Sequence, residues 1–166
     1  MIVYLAGGIE YAPDKGKAWR AAITPFLQSL GHEVYDPAYD EEKNLTPEEQ
    51  RDFRLWKTTD LEQFRRTVRK IIDWDLDWIE RKCGCIVAYW DESAQRGAGT
   101  PSELTLAYRR GIPVYLVAGI PVGQISGWVL GCATRVFCDF DALKEFLSAN
   151  YNEAPGHHLA DAFIGN

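Results

Sequence analysis

Short apolar runs stopped by glycine, proline or polar residues recur along the chain and predict buried strands. They are Ile2–Gly7, His32–Pro37, Cys85–Trp90, Pro113–Gly119 and Thr134–Phe140. Apolar residues at helical spacing lie between the runs, over Lys17–Leu30, over Asp60–Lys82, from Thr100 onward and over Asp141–Ala149. Strands that alternate with helices favour an α/β fold with a parallel five-stranded sheet covered by helices on both faces.

Length and charge narrow the class of protein. The 166 residues, 1–166, predict a single domain with a substantial core. The net charge of −6 disfavours binding to a nucleic-acid polymer. No apolar run approaches the ~20 residues that span a bilayer. The chain starts directly with a strand and has no basic lead-in of a secretion signal, so we expect a cytoplasmic protein without membrane contact.

The spacing of possible metal ligands argues against a metal site. The four cysteines, Cys83, Cys85, Cys132 and Cys138, match neither a zinc pattern nor a disulfide framework. We expect reduced thiols. The adjacent His157 and His158 are interpreted as residues of the tail, so no metal is expected.

Parallel sheets bind ligands beyond the carboxyl ends of their strands. That rule directs attention to Ala6–Glu10, Asp36–Tyr39, Trp90–Glu103 and the residues after Val117. The long polar stretch from Ala38 to Thr59 also falls at this edge, and loops of such length are often lids or binding loops.

Three aspartates lie on the predicted helix Asp60–Lys82. Its apolar stripe is expected to be buried and consists of Leu61, Phe64, Val68, Ile72, Leu76 and Ile79. At ~100° per residue, Asp75 borders this stripe, whereas Asp73 and Asp77 point towards water. Asp75 is therefore either held by the protein's own donors or faces a polar pocket.

Glu103 has a structural and a chemical interpretation. Thr100-x-x-Glu103 has the form of a capping box, with Pro101 at the first helical position. A carboxylate in the first turn is also kept ionised by the helix dipole, which is worth about 0.3–1 kcal/mol. Gly97 and Gly99 would let a ligand approach this turn closely.

Several motifs in order resemble those of a known family. They are Tyr4 with glycines after its strand, the D-L-x-W-I helix that begins at Asp75, the strand CIVAYW and then G-x-G-T-x-x-E-L-x-x-A from Gly97. Together, over roughly residues 2–117, they resemble the nucleoside 2-deoxyribosyltransferase family and the related 2'-deoxynucleoside 5'-monophosphate N-glycosidases.

The resemblance implies a flavodoxin-like (Rossmann-like) three-layer sandwich that makes and breaks the N-glycosidic bond of (2'-deoxy)nucleosides without a cofactor. Glu103 matches the nucleophile, which forms a covalent glycosyl ester. Tyr4 matches the tyrosine that orients it, and Asp75 matches the aspartate that assists at the base or sugar.

The remaining substrate contacts are expected around the two turns. Gly7, Gly8, Gly97, Gly99 and Thr100 would line the site, and Asp91 or Glu92 would contact the base. Gly97 replaces an aspartate that some members have six residues before the nucleophile. Tyr39, Phe53 and Trp56 either stack on the base or are packed or exposed aromatics.

The partner expected is a nucleoside with a free nucleobase as acceptor. Glu10 stands where the nucleotide-cleaving relatives carry an arginine, and an acid there would repel a phosphate, which favours an unphosphorylated nucleoside. Family members place their sites near subunit contacts, so we expect a homo-oligomer with Gln124, Ser126 or Trp128 at the contact.

Two alternatives stay open. The glycine motif partly matches that of the cytokinin-activating phosphoribohydrolases, which cleave nucleoside monophosphates. A non-catalytic nucleoside sensor would retain the same pocket without turnover.

Overall fold

The structure is a computed structural model that describes residues 1–40 and 44–153, with side chains described as far as Asn150. Residues 41–43 of the long polar stretch, and the histidines at positions 157 and 158, lie outside the described residues. Among the described residues, no helix is both long enough and apolar enough to cross a bilayer.

The described residues contain one five-stranded sheet whose strands are all parallel. The strands are β1 (Ile2–Gly7), β2 (Glu33–Tyr35), β3 (Cys83–Trp90), β4 (Val114–Ala118) and β5 (Arg135–Phe137). Their order, β2-β1-β3-β4-β5, is the flavodoxin-like order. The predicted α/β fold with a parallel five-stranded sheet is confirmed.

Helices connect the strands. They are α1 (Lys17–Ser29), α2 (Pro37–Asp40), α3 (Pro47–Thr59), α4 (Leu61–Arg81), α5 (Glu92–Arg96), α6 (Gly99–Arg110), α7 (Gly127–Cys132) and α8 (Phe140–Glu153), with a 3₁₀ turn at Val122–Gln124. The long polar stretch, for which the sequence predicted no structure, contains the helices α2 and α3. Thr46 and Glu49 begin α3 with a complete capping box.

Each face of the sheet packs its own hydrophobic layer, because alternate residues of a strand point to opposite faces. Tyr4 and Ala6 of β1 belong to the layer that packs against Leu104 of α6. Val3 and Leu5 belong to the other layer, which contains buried residues of α1 and α8. The result is the expected three-layer sandwich.

The prediction of a buried stripe along α4 was mostly wrong. Ile79 is fully buried, but Leu61 and Ile72 are exposed, and Phe64, Val68 and Leu76 are only partly buried. Phe64, Val68 and Ile72 line an open cavity, and Leu76 lines the cavity while also packing against the core. Helical periodicity identified the apolar face of α4 but could not distinguish a core from a cavity wall.

Candidate active site

A cavity of about 640 Å³ opens at the carboxyl ends of β1 and β3. These strands flank the point where the strand order reverses, since β2 lies on one side of β1 and β3 on the other. This is where doubly wound sheets bind ligands. The cavity is lined by the turn after β1, by α3 and α4, and by the start of α6.

Tyr4 and Glu103 meet beside this cavity. Tyr4 lies in β1 and is fully buried, with its side chain on the α6 face of the sheet. Its hydroxyl donates a hydrogen bond of 2.8 Å to Glu103 Oε1. Glu103 is carried by α6, whose Leu104 and Ala107 are fully buried in the core, so the helix holds the carboxylate in a fixed position.

The surroundings of Glu103 alter its ionisation. Burial raises the pKa of the Glu103 carboxyl above its ordinary value, and the Tyr4 hydrogen bond and the positive charge of Arg20 oppose this rise. Burial, followed by the charge of Glu103, raises the pKa of Tyr4 well above its ordinary value. Tyr4 is therefore a neutral hydrogen-bond donor to Glu103 at physiological pH.

The capping-box interpretation of Glu103 was wrong. The helix α6 begins at Gly99, with Ala98 at the N-cap and no side-chain hydrogen bond to the cap. Thr100 therefore lies inside the first turn, where it is buried and lines the cavity. The Glu103 carboxylate accepts a hydrogen bond from Tyr4 and does not cap the helix.

Asp75 lines the same cavity from α4 and is partly buried. Its negative charge acts on Tyr4, which places it in the neighbourhood of the Tyr4–Glu103 pair. The preceding residue, Trp74, donates its indole N–H to Tyr35 Oη at 3.0 Å and to Asp40 Oδ2 at 2.9 Å. These bonds fix the rotation of α4 and so direct Asp75 into the cavity.

The other two aspartates of this helix lie outside the cavity lining. Asp73 is exposed, and Asp77 pairs with Arg81 one turn along the helix at 2.6 Å. The structure therefore places Asp75 in the lining of the pocket and agrees with the solvated interpretation of its neighbours.

An apolar wall forms the side of the cavity made by α3 and α4. We use this name for the six lining residues Phe53, Phe64, Val68, Ile71, Ile72 and Leu76. From Phe64 to Asp75 the lining of α4 extends about 16 Å along the helix axis, at ~1.5 Å per residue. Of the three aromatics predicted to stack on a base or pack elsewhere, Phe53 lines the cavity, whereas Tyr39 and Trp56 do not.

The glycines at the two turns serve different purposes. A Cβ on Gly8 would lie 2.1 Å from Ser93 Oγ, and one on Gly7 would lie 2.8 Å from the Trp19 ring, so both positions need glycine for packing. A Cβ on Gly97 would make ordinary contacts, and one on Gly99 would meet nothing. All four line the cavity. At Gly97 and Gly99, the missing side chain leaves room for a ligand.

Asp91 and Glu92 do not line this cavity, contrary to the expected contact with the base. The Asp91 carboxylate accepts from the Ala94 backbone N–H at 2.9 Å and from Ser93 Oγ at 2.6 Å, so it caps α5. Glu92 is exposed in the first turn of that helix. The Asp91 carboxylate binds the first turn of α5 because β3 leads directly into that helix at this point.

The sequence analysis missed the charged rim of the cavity. Lys57 of α3 pairs with Glu10 of the turn after β1 at 2.6 Å, and Arg54 also lines this side. No sequence pattern connects positions so far apart. A prediction of α3 from its capping box would have placed Phe53, Arg54 and Lys57 on one helix.

Arg20 was also missed. Its side chain is fully buried beneath the turn after β1, where it donates to main-chain carbonyls and pairs with Asp36 Oδ1 at 3.4 Å. A lone arginine among the apolar residues of a predicted helix, here between Trp19 and Ile23, was the available indication.

No group of three or more His, Cys, Asp or Glu side chains suited to a metal ion is present among residues 1–40 and 44–153. Of the three described carboxylates that line the cavity, Glu10 is paired with Lys57. The chemistry available is therefore that of Asp75 and of Glu103, which is hydrogen-bonded to a neutral tyrosine, beside an apolar wall. Such a set can attack a carbon centre and transfer a proton.

Comparison with solved structures identifies proteins of similar fold. The 2-deoxyribosyltransferase of Bacillus psychrosaccharolyticus is 21% identical with a TM-score of 0.54, covering 91% of this chain and 96% of that enzyme. The CMP N-glycosidase of Clostridium botulinum is 15% identical with a TM-score of 0.51, covering 90% of this chain and 99% of that one. No protein-family model and no curated protein matches the sequence. Both structures are of the kinds that the sequence motifs resemble, and the shared fold agrees with that resemblance.

Proposed function

We propose that this protein cleaves the N-glycosidic bond of a (2'-deoxy)nucleoside and transfers the sugar to another base or to water. The observation that carries the proposal is the hydrogen bond of 2.8 Å between the Tyr4 hydroxyl and the Glu103 carboxylate beside a ligand-sized cavity. The names of the two similar structures support the same reaction class.

In the first step, a Glu103 oxygen attacks C1' of the sugar and forms a glycosyl ester. The bond from C1' to the base nitrogen breaks, and its electron pair leaves with the base, which takes a proton from the carboxyl group of Asp75. In the second step, the nitrogen of an acceptor base, or water, attacks C1' and releases Glu103. The proton of the acceptor returns to Asp75, and the configuration at C1' is retained.

The Tyr4 hydroxyl occupies one oxygen of Glu103 and leaves the other to attack. A hydrogen bond from a neutral phenol also helps the buried carboxylate to stay ionised, which the nucleophile requires. In a displacement at C1', the leaving base lies on the side of the carbon opposite to Glu103. We therefore assign the base to the apolar wall, which α3 and α4 contribute to the cavity and which contains no residue of α6.

A second candidate is the N-glycosidase reaction on a nucleoside 5'-monophosphate. Lys57 neutralises Glu10, the residue whose charge favoured an unphosphorylated substrate, and Arg54 adds a second cation to the same side of the cavity. A dianionic phosphate at this rim would meet two basic side chains.

We also propose that the protein is a homo-oligomer. Trp128 of α7 and Tyr108 of α6 expose 68% and 61% of their surfaces, which is unusual for such large apolar groups. Of the predicted contact residues, Trp128 carries this argument, whereas Ser126 caps α7. Sedimentation of the wild-type protein and of Trp128→Ser tests the assembly, and a wild-type monomer at micromolar concentration contradicts it.

The experiment that tests the function is incubation of the purified protein with a panel of nucleosides and their 5'-monophosphates. Each is tested with and without a second free base, and the products are separated by chromatography. Exchange of bases identifies a transferase, and release of free sugar alone identifies a hydrolase. Turnover restricted to monophosphates supports the second candidate. Binding without any turnover overturns the proposal in favour of a nucleoside sensor.

A further inference from the structure

The fully buried Arg20 side chain binds both ends of the turn between β1 and α1. Its Nε donates to the Leu5 carbonyl at 3.2 Å, and one terminal nitrogen donates to the Gly7 carbonyl at 2.9 Å. The other terminal nitrogen donates to the carbonyls of Gly16 at 3.0 Å and Lys15 at 3.5 Å. One guanidinium therefore connects the end of β1 to the start of α1.

The chain between these contacts lines the cavity. Gly8, Ile9, Glu10 and Tyr11 all belong to the lining. The ion pair of Arg20 with Asp36, at 3.4 Å, extends the same network to the end of β2, next to the lining residue Pro37. A residue that touches no ligand thus fixes two of the segments that shape the site.

Arg20 leaves no room for a side chain at Gly16 and lies close to Gly7. A Cβ on Gly16 would lie 2.3 Å from an Arg20 terminal nitrogen and 2.4 Å from the Gly8 carbonyl, and Gly16 has a φ of +70°. A Cβ on Gly7 would approach the other terminal nitrogen at 3.4 Å. The turn is built to enclose a guanidinium.

We propose that Arg20 is a positioning residue of this site, which holds the turn at Gly8–Tyr11 against the cavity and supplies a buried positive charge near the Tyr4–Glu103 pair. The inference rests on the proposed function for its kinetic consequences, whereas its consequence for the turn is independent of any activity.

The charge contribution follows from the groups that surround Glu103. Tyr4 from β1 donates to it, Asp75 from α4 shares its cavity, and Arg20 is the cation whose charge lowers the pKa of the Glu103 carboxyl. Glu10 and Lys57 compensate each other at the half-exposed rim. Removing the charge of Arg20 should therefore raise the pKa of Glu103 and shift the acid limb of the pH–rate profile upward.

The first experiment compares Arg20→Lys and Arg20→Met. Lysine keeps the charge but cannot form the fork of hydrogen bonds. Both variants should lower kcat/KM by about tenfold to a hundredfold, because small displacements in a site have effects of that size. Only Arg20→Met should move the acid limb. The proposal is overturned if neither variant changes kcat/KM, or if the acid limb of the pH–rate profile lies at the same pH in both.

A control separates positioning from general loss of stability. Leu143→Ala removes a fully buried side chain of α8, which packs in the same hydrophobic layer as α1 but lies outside the turn that Arg20 binds. Hydrogen exchange should accelerate at the amides of residues 8–15 in Arg20→Lys but not in Leu143→Ala. This readout needs no substrate, so a failure of the proposed function leaves it intact. Equal exchange at this turn in both variants overturns the positioning role.

A second pair of variants decides the question if the Arg20 variants do not fold. Gly16→Ala and Gly111→Ala place the same strained side chain at a φ of +70° and +69°, respectively. Only the first meets the network around the turn, at the Arg20 guanidinium and at the Gly8 carbonyl, since nothing lies within 4 Å of a Cβ at Gly111. Gly16→Ala should raise KM and accelerate exchange at the turn beyond Gly111→Ala. Equal effects of the two overturn the proposal.

Discussion

The Tyr4 hydroxyl lies 2.8 Å from Glu103 Oε1 although 99 positions separate the two residues. Tyr4 is fixed by the inner strand β1, and Glu103 is fixed by a helix whose inner face is fully buried. The pair is therefore set by the packing of β1 and α6.

Removal of the Tyr4 hydroxyl should impair the reaction. Tyr4→Phe deletes a hydrogen bond to a charged group, so we expect kcat/KM to fall by about 10- to 100-fold, the equivalent of about 1.5–3 kcal/mol. In the wild type this hydrogen bond lowers the pKa of Glu103. Its loss should therefore raise that pKa and move the acid limb of the pH–rate profile to higher pH. The measurement is kcat/KM against pH.

Tyr115→Phe is the matched control for this change. Tyr115 is also fully buried in the sheet, but its hydroxyl has no hydrogen-bond partner among the described residues. The control should leave kcat/KM unchanged and the protein equally or more stable. Equal kinetics in both variants would contradict a role for Tyr4.

Glu103→Gln should abolish turnover while the protein remains folded. The nucleophile is lost, so kcat should fall by at least about 10³-fold. Mass spectrometry of the acid-quenched wild-type enzyme should find Glu103 heavier by one glycosyl unit. Glu145→Gln, an exposed change on α8, should retain both activity and adduct. Undiminished turnover in folded Glu103→Gln would reject the mechanism.

The same variant should be more stable than the wild type at neutral pH. Burial raises the pKa of Glu103 above the ordinary value of 4.5, so the folded state binds a proton that the unfolded state has already released. This effect is absent below pH 4.5. The stability of the wild type falls as the pH rises from 4.5 to the pKa that Glu103 has in the folded state. Above that pKa the loss of stability stays constant.

Glutamine does not ionise, so the difference in Tm between Glu103→Gln and the wild type should be near zero in acid. The difference in Tm should become positive as the pH rises and should stay constant above the pKa that Glu103 has in the folded state. Thermal unfolding over a series of pH values measures this difference. A difference independent of pH would show that Glu103 is not destabilised by its burial.

The apolar wall should set the affinity for the base. Ile72→Ser replaces a lining residue that is 47% exposed, and we expect KM for a good nucleoside to rise by about tenfold, with less change in kcat. Leu61→Ser is the control, because Leu61 lies on the same helix, is 59% exposed and does not line the cavity.

Steady-state kinetics of the two variants, together with their sedimentation, tests this assignment. If both variants raise KM equally, the effect belongs to α4 as a whole. If Ile72→Ser changes the state of association and leaves KM unchanged, the apolar wall is a contact with a second copy of the chain and does not bind the base.

The sequence identified Glu103 and Asp75 through patterns that were partly misleading. The capping-box spacing drew attention to Glu103, yet the cap does not form. The stripe on α4 correctly oriented Asp75, yet much of that stripe lines a cavity. Both patterns report the direction in which a side chain points along its own helix. What it points at depends on the rest of the fold.

The sequence by itself determined the strands, four of the eight described helices and the face of α4 on which Asp75 lies, because apolar periodicity is a local property that each segment carries along its own length. The family resemblance matched Tyr4 to a tyrosine that orients Glu103, but only the tertiary structure decided the hydrogen bond between them, the cap that Asp91 forms on α5, and the burial of the Arg20 charge under the turn after β1. The contacts of Tyr4 and Arg20 join segments that are distant in the chain, and Asp91 caps a helix that follows its strand directly. Their outcome depends on burial and geometry that exist only once the sheet has been assembled.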